Sequence, residues 1–296
     1  MSQPRSDLFT EDFLRRLEHL RFATRRPVAG HLRGVHRSRR TGSGMVFSDY
    51  RPYTPGDDTR NLDWGIYLRL DRLILRLFEE EADLPVYFFV DASASMAYGE
   101  PSKFDFARRV AAALAYLALL DHDRVSVVAW ADGIARELPV RRGNAQTWPV
   151  FRFLQGLAPD GRTDLQAALR SYFGGRRPRG LVILLSDFLD EGGFAPAANF
   201  LRQFRHEVFA MQVLSPQEVK PDLPEEVVLV DAESGVADTV HVTPALLAEY
   251  AEAQDEHCRE IESVCRSGGW TYLRARTDAP FEELMLQLLR EQGVLK

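Results

Sequence analysis

The chain has 296 residues, 45% hydrophobic and 27% charged, with a formal net charge of −6. That is enough for one large core with an appendage, in the composition of an ordinary globular protein, and the acidic balance argues against general nucleic-acid binding. Two cysteines, Cys258 and Cys265, are too few for a disulfide framework or a zinc site, and no apolar run approaches the ~20 residues that span a bilayer, so a cytoplasmic protein is expected.

Leu8, Phe9, Phe13, Leu14, Leu17 and Leu20 recur at helical spacing over residues 8–22. Arg21 to Arg40 then carries seven arginines, two histidines and no acid, which reads as a solvated, partly ion-paired segment. Around the Pro55-Gly56-Asp57 turn, the residues Arg51, Asp57, Asp58, Arg60 and Asp63 are dense enough to pair among themselves, with Tyr53 and Trp64 as packing anchors. Leu73 to Phe78 predicts a strand, and Glu79, Glu80, Glu81 and Asp83 an acidic link.

Val86 to Val90 is a continuous apolar run, as in a strand buried on both faces, and it stops at Asp91. Ser93 and Ser95 follow at alternate positions, and Phe104 to Leu120 is apolar almost all round, the pattern of a helix against a sheet. One carboxylate and two neutral hydroxyls on a strand-to-helix loop suit a hard divalent cation such as Mg²⁺ and leave most of its charge for a carboxylate from another molecule. A serine-rich helix cap is the plainer alternative.

Arg124 to Trp130 predicts a second buried strand, Ile134 to Val140 an alternating edge strand, and Trp148 to Leu157 a helix. A polar loop containing Thr163 opens another helix through Ser171. Leu181 to Leu185 repeats the strand-then-acid pattern, ending in Ser186-Asp187. A helix over 194–205, a strand over 207–214, a small β-excursion at 215–242, a long helix from Thr243-Pro244 to about Cys265, a strand over 270–275 and a helix over 280–292 complete the chain. The alternation predicts an α/β doubly wound, mainly parallel sheet of order 3-2-1-4-5-6 over residues 85–296, after an N-terminal α+β extension at 1–84. That order brings Asp91, Ser93, Ser95, Thr163 and Asp187 to one rim.

These five residues resemble the metal-ion-dependent adhesion site of von Willebrand factor A domains: Asp-x-Ser-x-Ser, a loop threonine, then an aspartate after the fourth strand. The resemblance implies a metal held by Ser93, Ser95 and Thr163, with Asp91 and Asp187 bound directly or through water, and Asp164 and Asp190 as alternatives. The ion is expected to be Mg²⁺, with Mn²⁺ or Ca²⁺ also suited. Gly42-x-Gly44, Arg51-Pro-Tyr-Thr-Pro-Gly-Asp-Asp-Thr-Arg60, Asp63-Trp64 and Asp-x-Ser-x-Ser-Met are similar to domain-of-unknown-function family fifty-eight, DUF58. That bacterial and archaeal family carries an A-type domain and resembles in context the partners of MoxR-type AAA+ ATPases. The implied function is a metal-dependent protein-interaction module, an adaptor binding a partner's acid. The alternative is a metal-dependent phosphohydrolase using Asp91, which lacks an evident acid/base pair: His122 is a lone histidine after the buried helix.

Overall fold

The computed structural model describes residue 15 and residues 41–55, 57–79, 85–175, 177–281 and 283–285. The expected helix over 8–22 (Arg15 apart), the Arg21–Arg40 run, the acidic link after Glu79 and the end of the last helix lie outside the described residues. The chain divides into two compact units, the smaller spanning Arg33–Asp83 and the larger comprising Met1–Leu32 and Leu84–Lys296.

The smaller unit pairs strand β1 (Thr41–Pro52) antiparallel with β2 (Ile74–Glu79), joined through a short helix α1 (Trp64–Leu70). Asp63 caps α1 by accepting from Gly65 N and Ile66 N at 2.9 and 3.0 Å, and it pairs with Arg76 at 2.8 Å. Arg76, followed by the two helix-end amides, holds its carboxyl at about 2. Arg51 pairs with Asp57 and Arg60 with Asp58, so the charged block does pair internally, with Asp63 turned to the strand instead. Trp64 is no anchor: at the first turn of α1 it is 58% exposed and meets only Tyr67 edge-on among described aromatic contacts.

The larger unit is built on one six-stranded sheet. Its strands are β3 (Val86–Asp91), β4 (Arg124–Trp130), β5 (Ile134–Arg142), β6 (Leu181–Ser186), β7 (Glu207–Leu214) and β10 (Thr271–Arg276), in the order β10-β7-β6-β3-β4-β5. Counted from β3 in chain order, the neighbours run 3-2-1-4-5-6; all pair parallel except the edge strand β5, antiparallel to β4 after the Asp132-Gly133 turn. β3 and β6 are buried along their whole length, because helices cover both faces. Val86, Phe88 and Val90 face the core shared with α2 (Lys103–Leu120) and α3 (Thr147–Gln155). Tyr87 and Phe89 face the other core, shared with α4 (Leu165–Phe173), α5 (Phe194–Gln203) and α7 (Pro244–Ser267). Cys258 and Cys265 are buried, unbridged thiols of α7.

Between β7 and α7 the chain makes a one-turn helix α6 (Pro216–Val219) and a separate hairpin, β8 (Glu226–Val230) with β9 (Ala237–His241). No described helix is long and apolar enough to cross a membrane.

Candidate functional site

Parallel strands that leave in opposite directions open a crevice where the order reverses, and β3 stands at that point between β4 and β6. Asp91, the last residue of β3, is fully buried, and its Oδ1 accepts from the amide (2.9 Å) and the hydroxyl (2.7 Å) of Ser93. Its Oδ2 accepts from Ser186 Oγ at 2.5 Å, so β6 contributes to the same carboxylate. Ser95 Oγ lies 3.0 Å from Ser93 Oγ, extending the chain of oxygens outward to a half-buried position. A hydroxyl that gives its proton to a carboxylate keeps its lone pairs, so Ser93 remains a competent oxygen ligand.

Asp187 is equally buried at the end of β6. Its Oδ1 accepts from Leu189 N at 3.1 Å, and the next residue, Phe188, is buried with a left-handed φ of 59°. That conformation is unfavourable for a bulky side chain and is held here by a 2.8 Å bond from Phe188 N to Ser186 Oγ. Burial, and then the neighbouring charge of Asp187, push the Asp91 carboxyl up to about 7 against the pull of its hydrogen bonds. Two buried acids thus face one crevice.

Sequence reasoning missed the cation that meets Asp187. Lys103, only 1% exposed, donates to Asp187 Oδ2 at 2.6 Å and to Glu218 Oε1 of α6. Burial alone would lower the ammonium's pKa, but the two carboxylates outweigh it and raise it. Glu218 is held in turn by a capping box with Ser215, its Oε2 accepting from Ser215 N at 2.8 Å. One signal was available: Lys103 opens an apolar helix, where the helix dipole disfavours a cation. Gln212 donates to the Asp187 carbonyl at 3.2 Å and accepts from Tyr272 at 2.5 Å, tying the site to β10.

The loop carrying Thr163 is strapped beside the serine loop. Ala94 N donates to Gly161 O (3.0 Å), Asp160 N to Ala92 O (2.7 Å) and Asp164 N to Ala131 O (2.9 Å). Thr163 itself is taken by Glu233, between β8 and β9: its amide donates to Oε2 at 3.0 Å and its hydroxyl to Oε1 at 2.5 Å. Asp164 and Asp190 serve backbone amides instead, Asp164 capping α4 through Ala167 N and Asp190 accepting from Leu165 N. An open cleft of about 350 Å³ lies on this side, lined by Asp132, Arg162, Thr163, Asp190 and Glu233 among others. His122 is exposed just before β4 begins, at the opposite end of the strands, so it does not reach this rim.

The oxygen set therefore comprises Asp91, Ser93 and Ser95 in one hydrogen-bonded chain, Asp187 beside them, and Thr163 on the adjoining loop. Among the described residues no cluster of three or more His, Cys, Asp or Glu side chains is gathered as a metal cage. A cation at this rim would rest on hydroxyls and two carboxylates, which fits Mg²⁺ and does not fit a soft metal.

The family described as "Protein of unknown function DUF58" matches residues 49–260. The chain belongs to the DUF58 family. Uncharacterized proteins of Mycobacterium bovis and Mycobacterium tuberculosis are each 31% identical to this DUF58 chain over 288 residues, covering 94% of it and 89% of their own length. An uncharacterized Mycobacterium avium protein is 33% identical over 145 residues, 48% of this chain and 85% of its own. Among solved structures, the conserved hypothetical protein BatB from Bacteroides thetaiotaomicron is similar at TM-score 0.44 and 18% identity, over 71% of this chain and 98% of that one. An aerotolerance-related membrane protein from Bacteroides fragilis gives 0.42 and 18%, over 72% and 100%.

Proposed function

We propose that the larger unit of this DUF58 chain is a divalent-cation-dependent protein-interaction module of von Willebrand factor A type. Asp91, Ser93, Ser95, Thr163 and Asp187 hold Mg²⁺, or Mn²⁺ or Ca²⁺ in its place, and the ion takes up a carboxylate of a protein partner. The partner we infer is a MoxR-type AAA+ ATPase or its client, with this chain as adaptor in the cytoplasm. The observation that carries the reading is the run of oxygens from buried Asp91 and Ser93 out to half-buried Ser95, beside Asp187 where the strand order reverses. Neutral hydroxyls leave the ion's charge uncompensated, so an outside acid is attracted to it. The phosphohydrolase alternative draws less support: both Asp91 oxygens already accept hydrogen bonds, which dampens a nucleophile.

The test is thermal unfolding of the full chain with and without Mg²⁺, with capture of a MoxR-type ATPase as the second measurement. Saturation to one hundred times Kd would stabilise by about 2.7 kcal/mol. Asp91→Ala and Ser93→Ala should lose that shift, and EDTA should release the ATPase. Capture indifferent to both EDTA and Asp91→Ala would refute the reading.

A further inference from the structure

The Thr163 corner is already engaged by an acid of the same chain. Both donors of Thr163 go to the two oxygens of Glu233, seventy positions away, in a fork of 3.0 and 2.5 Å. A partner's carboxylate would present the same chemistry to the same corner.

The turn bearing Glu233 is shaped for that contact. Asp231 Oδ1 accepts from Glu233 N at 3.0 Å and from Ser234 N at 2.5 Å, and Gly235 N donates back to Asp231 O at 2.9 Å with a φ of 72° that suits glycine. The Ser234 amide and hydroxyl, and then the Glu233 amide, hold the Asp231 carboxyl low, with Arg162 adding least; Arg162, next to Thr163, pairs with Glu191 at 2.9 Å. The hairpin has little apolar anchorage: Val228, Val230 and Val236 are 59%, 62% and 66% exposed. A two-stranded ribbon of this kind is marginal alone, so a polar fork at its tip weighs heavily in where it rests and is readily exchanged for a better ligand.

We propose that the β8–β9 hairpin is a tethered competitor for the site: Glu233 holds the Thr163 corner until a partner's carboxylate displaces it. This rests on the divalent-cation reading above and adds its regulation. A carboxylate on a short tether acts at high effective concentration, so only a partner offering contacts beyond its acid wins the corner. The hairpin then acts as a threshold against free carboxylates.

Two measurements on the full chain test it. In EDTA, hydrogen exchange at the Thr163 amide should quicken about tenfold or more in Glu233→Ala, because a charge-assisted bond is lost, and stay unchanged in Glu226→Ala on the same hairpin. On the Mn²⁺-loaded chain, water-proton relaxivity should reveal an additional exchangeable water in Glu233→Ala. Acetate, the carboxylate probe, should lower the relaxivity of Glu233→Ala at about tenfold lower concentration than it lowers that of wild type. Thr163 exchange unaffected by Glu233→Ala, or one acetate response for both forms, overturns the competitor while leaving the cation reading intact. Failure of Mn²⁺ to bind either form sinks the cation reading and the competition with it; the EDTA exchange then reports only whether the fork forms.

Discussion

Lys103 carries the largest electrostatic obligation of any described residue at the rim. Its ammonium is buried against Asp187 and Glu218, and burial of an ion is tolerated only when its partners are in place. Lys103→Met should therefore cost about 3–5 kcal/mol in urea unfolding measured in EDTA, since it strands two acids rather than removing a weak pair. Mg²⁺ should restore part of that loss if the crevice holds a cation, because a divalent ion next to Asp187 would replace the missing charge. A variant as stable as wild type in EDTA would show that the ammonium is dispensable. The Asp91 carboxyl sits at about 7 because burial, and then the charge of Asp187, disfavour its ionised form.

At the level of elements, the strand-to-helix connection after β3 depends on a close approach. Gly99 has a φ of 96°, and a Cβ there would fall 2.5 Å from the Cβ of Ser215, the cap of α6. Gly99→Ala should cost about 1–3 kcal/mol and loosen Glu218 from Lys103, whereas Gly133→Ala, with open space around it, should stay within about 0.5 kcal/mol. Denaturant midpoints of the two variants make the comparison, and equal midpoints would deny the packing argument. These elements also mark how far the sequence could be read. Val86–Val90 and Leu181–Leu185 announce buried parallel strands through unbroken apolar runs, and the alternation after Asp132-Gly133 announces the edge strand. Both depend on neighbours in the chain. The Lys103 contacts with Asp187 and Glu218 bridge 84 and 115 positions, and the Thr163–Glu233 fork bridges 70, so no local pattern reports them. Trp64 misled for a related reason: an aromatic beside a dense charged block looks like an anchor until its surroundings are known.

For the molecule as a whole, His206 contributes acid sensitivity from the end of the sheet opposite the rim. His206 is buried before β7 next to Gly180, against Phe173 and Tyr87, and burial depresses its pKa to about 4. In the unfolded chain the imidazole titrates at about 6.5, so between those values the unfolded state binds the extra proton. The stabilisation is complete above about pH 6.5 and declines as pH falls to about 4, by about 3 kcal/mol in total. The Asp91 carboxyl, at about 7, acts in the opposite sense over the same interval in both forms, so the measure is the difference: denaturation midpoints in EDTA should move further toward instability with acid in wild type than in His206→Gln, and identical slopes would remove His206 as a contributor.

The oxygens and charges at the rim come from several excursions of the chain: Asp91, Ser93 and Ser95 from one loop, Ser186 and Asp187 from another, and Lys103, Thr163, Glu218 and Glu233 from four more. Parallel strands of this kind pair late, after long loops have closed. A ribosome-bound chain ending before β6 has neither Ser186 nor Asp187 to set against Asp91. The contacts of Asp91 with Ser186 and its proximity to Asp187 are therefore made only once β6 has joined the sheet.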